Sequence, residues 1–196
     1  MRSISFTVLS FILVAAATAA EAQTPVKDIS AVYAEGKITA NEYRNDYFGL
    51  TLTLSPVNAQ FTQGGFVSPE GKRAHLVNAQ LNSSNWDEKY EIAILADALS
   101  ANPLVRLPEQ YVRSVRHQFE REGMTTIQEE TPIEISGVKF VQATMKVMEE
   151  GRNHYQGMYT TFLNGYILSI QIQASTPERL NQIVLSMVKF KPQSSQ

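Results

Sequence analysis

From Tyr166 to Ala174 (YILSIQIQA) apolar and polar positions alternate. Tyr166, Leu168, Ile170, Ile172 and Ala174 fall on one side, and Ser169, Gln171 and Gln173 on the other. A period of two is that of a half-buried strand, because successive side chains leave the pleat on opposite faces. Asn164-Gly165 precedes the run, and this dipeptide tolerates positive φ at both central positions of a type I′ turn. The aromatic and β-branched run Tyr155 to Leu163 is then the partner strand of a hairpin. After Ala174 the period changes to that of a helix, with Leu180, Ile183, Val184 and Met187 at i, i+3, i+4 and i+7. Two starts are available: a capping box from Ser175 to Glu178, or Thr176 as N-cap with Pro177 in the first helical position. Either folds a helix back onto the hairpin.

Earlier in the chain the same reading gives a strand over Ile38 to Arg44, a turn at Asn45-Asp46, and a strand over Phe48 to Leu54. Ser55-Pro56 ends the second strand, since proline has no N–H for a ladder. Val57 to Lys72 is broken by Gly64-Gly65, Pro69 and Gly71 and reads as a loop over the sheet edge. Ala74 to Leu81 is a short strand, and Asn82 to Asp87 a polar loop. Tyr90 to Leu99 is apolar on both sides, which predicts a central strand covered from both faces. Pro108 to Glu122 is a helix with Val112, Val115 and Phe119 inward and Arg113, Arg116 and Glu120 outward, ended by Gly123. Met124 to Ile135 is one weak strand or two short ones around Pro132. Val138 to Met148 is a stronger strand, and Val188 to Phe190 a short edge strand. Strands joined by tight turns and interrupted by two helices predict an α+β fold, a largely antiparallel β-sheet with helices packed on it.

Length and charge narrow the picture. The chain has 196 residues, 43% hydrophobic and 18% charged, enough for one domain with its own core. A formal net charge of −2 supplies no basic cluster for nucleic acid, so none is expected as a partner. Arg2, the apolar run Phe6 to Ala19 and Ala20-Glu21-Ala22 fit an export signal cleaved after Ala22; a retained anchor is the alternative. The expected organisation is a signal peptide over 1–22, a linker over 23–36 with one helical turn near Ile29 to Tyr33, one domain over 37–192, and a polar tail over 193–196. With no cysteine in the chain there is no disulfide framework, no thiolate metal site and no acylated cysteine. The expectation is a periplasmic or extracellular protein without a stable membrane span after cleavage.

Two stretches carry a family resemblance. One is Tyr43 to Leu54 (YRNDYFGLTLTL), with Asn45, Phe48 and Gly49 at its centre. The other is Tyr159-Thr160-Thr161-Phe162 and Asn164-Gly165-Tyr166-Ile167-Leu168, followed by the Ser175 to Met187 helix and Lys189-Phe190. Together they resemble the PsbP-like fold of extrinsic photosystem II proteins, a Ran-binding nuclear import factor and many secreted bacterial proteins. The resemblance implies a PsbP-like α/β/α sandwich over most of Lys37 to Pro192, and binding or scaffold roles. Ser55-Pro56-Val57-Asn58 stands where family members continue with proline, glycine and tryptophan.

Candidate chemistry is sparse. His75, His117 and His154 have no H-x-x-H or H-E-x-x-H spacing, so no metal site is expected; His154 with Glu149 and Glu150 reads as a solvated turn. Phosphate-binding glycine motifs and a nucleophile elbow are absent, and no cofactor is expected. Glu129-Glu130 and Glu149-Glu150 are adjacent pairs, which a strand points to opposite faces, so neither is preset as a catalytic dyad. No catalytic residue is assigned. The candidate binding residue is Trp86, the only tryptophan, set among Asn82, Ser83, Ser84, Asn85 and Asp87. It either stacks on a sugar or anchors a partner, or it plugs the sheet edge. Asn82-Ser83-Ser84 also matches a glycosylation sequon, and the tyrosines at 155, 159 and 166 read as cross-strand packing. The expected function is a secreted or periplasmic, non-enzymatic binding or scaffold protein whose partner is another envelope or secreted protein. The alternative is a metal-independent hydrolase.

Overall fold

A computed structural model describes residues 26–55, 58–62, 65–149 and 151–191. The expected export segment 1–22, the tail 193–196, and the expected breakers Pro56 and Gly64 lie outside the described residues. So does Glu150.

The described chain is an α+β fold with antiparallel sheets. The elements are α1 (Ile29–Ala34), β1 (Gly36–Ile38), β2 (Glu42–Asn45), β3 (Leu50–Thr53), β4 (Gln60–Thr62), β5 (Phe66–Val67), β6 (Arg73–Leu81) and β7 (Tyr90–Ala98). They continue with α2 (Pro108–Arg121), β8 (Thr125–Ile135), β9 (Val138–Glu149), β10 (Arg152–Leu163), β11 (Tyr166–Ala174), α3 (Pro177–Met187) and β12 (Val188–Phe190). Among the described residues a large sheet runs β4-β6-β7-β11-β10-β9-β8, with β5 also on β6, and a small one runs β1-β2-β3-β12.

The β10–β11 hairpin forms as its turn chemistry predicts, pairing Leu163 with Tyr166 and Tyr155 with Ala174. Asn164 and Gly165 take φ of 52° and 84°. Thr176 is the cap of α3, its hydroxyl accepting from Arg179 N–H at 3.2 Å, with Pro177 following. Ser175 is not the cap; its hydroxyl reaches the Asp87 carbonyl at 3.4 Å. The α3 side chains Leu180, Ile183, Val184 and Met187 join Tyr166, Leu168, Ile170 and Ile172 in the main core. The small sheet closes the same side of the large sheet through Leu50, Leu52, Val188 and Phe190.

The opposite face is covered by α2, which buries Val112 against Val141, Ala143, Met145 and Met158. Gly123 ends this helix at φ 96°, as expected. Arg116, expected outside, is buried. Its Nε donates to Glu130 Oε1 and its Nη1 to Glu120 Oε1, both at 2.8 Å. A long-range partner on β8 draws this charge inward, because a guanidinium can be buried when its donors are met.

Of residues 23–36, expected as a linker, the described part carries two side chains into the core. The expected helical turn is α1, capped by Asp28, and Ile29 and Val32 are fully buried in the main core. Two buried positions in six residues make too short a stripe for periodicity to reveal that the turn packs into the core. The expected strand from Ile38 to Arg44 is split into β1 and β2, with residues 39–41 turning the chain.

The two stretches that carry the family resemblance meet in space. Tyr47 Oη donates to the Asn164 carbonyl at 2.7 Å, and Asn164 Nδ2 donates to the Tyr47 carbonyl at 2.6 Å. Tyr47, Phe48 and Tyr166 pack edge to face, with centroids 5.1 to 6.0 Å apart. Asn45, fully buried, donates to the Val32 carbonyl at 2.9 Å and accepts from Phe48 N–H at 3.3 Å. One amide thus ties α1 to the β2–β3 turn.

Candidate functional site

The site arises where α2 stops covering the sheet. α2 packs on β8, β9 and β10. On β7, the strand expected to be covered on both faces, Ile94 to Asp97 are buried, whereas Glu91 is exposed and Ala93 half-buried. The expectation therefore fails toward the start of β7, and the open ground beyond α2 is a groove.

Register explains its chemistry. Gln80 pairs with Glu91, Glu91 with Gln173, and Gln173 with Gln156, so four polar side chains stand in one row across β6, β7, β11 and β10. The next row is Asn78, Ala93, Gln171 and Met158. By the pleat these side chains face away from the α3 core. The groove encloses about 430 Å³, with Phe119 and Met124 as its wall beside α2. The Oδ1 of Asn78 is buried there and has no hydrogen-bond partner among the described residues.

Trp86 stands beyond this row, at the end of the sheet. It opens a 3₁₀ turn, Trp86–Glu88, capped by Asn85, whose side chain accepts from Asp87 N–H at 3.1 Å. Ser83 donates to Glu88 at 2.7 Å and fixes the loop from within. The indole is half-buried and meets His154 edge on, with ring centroids 4.4 Å apart and planes at 89°. Lys89 Nζ lies 5.8 Å and the Arg152 guanidinium carbon 5.3 Å from the indole centroid, within cation–π range. A cleft of about 220 Å³ opens here, lined by Trp86, His154, Lys89, Ser175 and, from the polar row, Glu91 and Gln173. Glu91 and Gln173 also line the groove, so cleft and groove adjoin at these two side chains.

The histidines do not converge. His75 stacks on Phe66 at 4.4 Å, and burial, with Arg73 adding to it, lowers its pKa. His117 lies on the exposed side of α2, its Nδ1 2.8 Å from Glu120 Oε2. Glu130 is buried under Arg116 and Arg113 while Glu129 is exposed, so that pair divides between faces. Tyr159 packs across from Ile170, and its hydroxyl, with pKa raised by burial, donates to Asn181 at 3.0 Å. Among the described residues no three His, Cys, Asp or Glu side chains are grouped to hold a metal ion. No helix among them is long and apolar enough to cross a membrane. Sequence reading missed the His154 contact and the polar row. A signal for the row was present in the period-two polar positions Asn78 and Gln80, and Gln171 and Gln173.

No protein-family model matches the chain, and no curated protein matches it. Solved structures are similar at low identity. One, from Bacteroides thetaiotaomicron VPI-5482, is 8% identical with a TM-score of 0.44. The match covers 80% of this chain, which spans half the length of that one (50%). Another is LpqN of Mycobacterium tuberculosis, a protein involved in cell envelope biogenesis. It is 10% identical with a TM-score of 0.43, and the match covers 73% of this chain and 83% of that one.

Proposed function

We propose that this is a secreted or periplasmic, non-enzymatic binding protein of PsbP-like fold that holds its partner at the Trp86 cleft. The observation that carries the reading is the half-buried indole at the mouth of a polar groove. An aromatic side chain fixed by His154 and flanked by Lys89 and Arg152 offers contact area that needs no ordering when a partner arrives. The contact between the Tyr43 to Leu54 segment and the Asn164-Gly165 hairpin supports the PsbP-like reading of the fold. The Arg2-led apolar run supports export.

A photo-cross-linking residue at Asn82, on the exposed rim, tests the binding site. Incubated with envelope extract, the wild type yields a recurrent cross-linked species, and Trp86→Ala abolishes it. The same species at undiminished yield with Trp86→Ala rejects the cleft as the binding site. The second reading is a metal-independent hydrolase, favoured by one observation: Ser175, His154 and Glu91 line the same cleft. Turnover of p-nitrophenyl esters or glycosides that disappears with Ser175→Ala would replace the binding reading with it.

A further inference from the structure

We infer that the groove beside the Trp86 cleft binds an uncharged, extended oligosaccharide laid across β6, β7, β11 and β10. The inference deepens the proposed binding function and rests on it only where the ligand reaches Trp86.

The polar row decides the ligand class. Gln80, Gln173 and Gln156 each present a carbonyl oxygen and an NH₂ on one end group, and Glu91 adds a carboxylate. A side-chain amide both donates and accepts, which suits hydroxyl groups that do the same. A phosphate or carboxylate ligand would call for guanidinium and ammonium groups, and a cation for several carboxylates. The groove proper contains neither set: among the described residues that line it, Glu91 is the one carboxylate and no Lys or Arg is present. An uncharged ligand is the complement of such a lining.

Spacing points the same way. Neighbouring strands lie about 4.8 Å apart, so four in-register side chains span about 14 Å. That spacing is close to the rise per sugar of an extended hexose chain, so successive residues meet successive strands. Phe119 and Met124 on one side and Trp86 on the other provide apolar walls for the C–H faces of sugar rings. A peptide is a poorer match. Sheet faces present side chains rather than backbone N–H and C=O groups, so a peptide backbone would find no ladder here.

Isothermal titration calorimetry with cellohexaose, maltohexaose and chitohexaose, with polygalacturonate and a lysine hexapeptide as charged comparisons, tests the inference. At least one neutral hexaose should bind, and the combined Gln80→Ala and Gln173→Ala substitution should weaken it about ten-fold or more. Gln182→Ala, on the exposed side of α3, should leave it unchanged. Glu91→Gln keeps an acceptor at this position and should leave hexaose affinity within about three-fold, whereas tight binding of the lysine hexapeptide that Glu91→Gln abolishes would mean a cationic ligand and overturn the inference. Absence of neutral binding at millimolar ligand, preference for polygalacturonate or the peptide, or insensitivity to the double substitution would also overturn it. Thermal melts of each variant confirm folding. If no hexaose binds but the Asn82 cross-link persists, the glycan inference falls and the cleft function stands. If a hexaose binds the row while Trp86→Ala leaves the cross-link intact, the reverse holds.

Discussion

Trp86 and His154 meet edge to face across β11, ring centroids 4.4 Å apart, and so clasp the loop before β7 to the start of β10. An aromatic pair of this kind contributes about 0.5–1.5 kcal/mol beyond its area burial. His154→Ala should therefore lower stability by about 1 kcal/mol in urea melts. Because Trp86 is the only tryptophan, intrinsic fluorescence reads this contact alone. The substitution should shift the emission maximum to longer wavelength as the indole gains water. An unchanged spectrum would mean that the clasp does not hold in solution.

The Arg116–Glu130 pair makes the next prediction. Their side chains are 7% and 6% exposed, and each is the principal partner of the other. Removing one member of a buried pair costs about 3–5 kcal/mol where the other charge is left without a partner. Glu130→Ala leaves Arg116 paired with Glu120 at 2.8 Å and should cost less than that, about 1–3 kcal/mol. Arg113→Ala removes a second, longer contact to Glu130 from a side chain that is 57% exposed, and should cost less than about 1 kcal/mol. Similar losses for the two variants would show that Arg116 reaches water once Glu130 is gone.

These residues also mark how far the sequence could be read. The β10–β11 hairpin and α3 were legible because their signals are local: a period of two, an Asn-Gly turn, a Thr-Pro start. Arg116 was not, because a charge on a helix is taken as outward until its partner is known, and Glu130 lies on another element. α1 was legible as one helical turn, but its brevity hid that Ile29 and Val32 enter the main core. The groove was hidden because it depends on where α2 ends relative to β7, a long-range fact that no window of sequence contains. Trp86 was visible as a lone aromatic in a polar loop, while its contact with His154 required the strand order.

Acid should loosen the α2–β8 contact first. Hydrogen bonds from Thr126, then His117 and Arg116, hold the Glu120 carboxyl down to about 2. For Glu130 burial pushes the pKa upward, but the Arg116 and Arg113 guanidiniums outweigh it and the net direction is down. A carboxyl with a lowered folded-state pKa stabilises the fold above its unfolded value, here near the ordinary 4.5, and loses that contribution as pH falls through the folded value. In a His75→Gln background, which removes the earlier decline that the lowered His75 pKa causes below about pH 6.5, urea midpoints should be flat from pH 7 to about pH 5 and fall progressively from there toward pH 2. Glu130→Gln should flatten part of this decline. A decline beginning above pH 6 would assign acid sensitivity to other groups.

Gly165 closes the organising hairpin at φ 84°, and a Cβ built on it would lie 2.5 Å from Val26 Cγ2. Gly165→Val faces both backbone strain and this clash, with strain alone costing about 1–3 kcal/mol. Gly165→Ala relieves the β-branching but keeps the positive φ, so it should be destabilising by a smaller amount. Gly71 has φ 63° with open space around it, and Gly71→Ala isolates the conformational cost. If Gly165→Ala costs no more than Gly71→Ala, Val26 moves aside freely and the packing of the first described residues contributes nothing to the turn.

Adjacent residues on β11 separate the two faces of the sheet. Ile170 is fully buried beneath α3, whereas Gln171 is half-buried on the groove side. Ile170→Ala removes methylenes from the main core and leaves a cavity, at about 2–5 kcal/mol. That is a large part of the stability of a domain without disulfides. Gln171→Ala removes a polar side chain next to Ala93 and Asn78 and should cost less than about 1 kcal/mol, as substitutions outside cores do. Denaturant melts of the two proteins, with unchanged slopes, provide the comparison. Equal losses would place Gln171 in a packed interior, and the groove, with the row of amides beside it, would then be closed to any ligand.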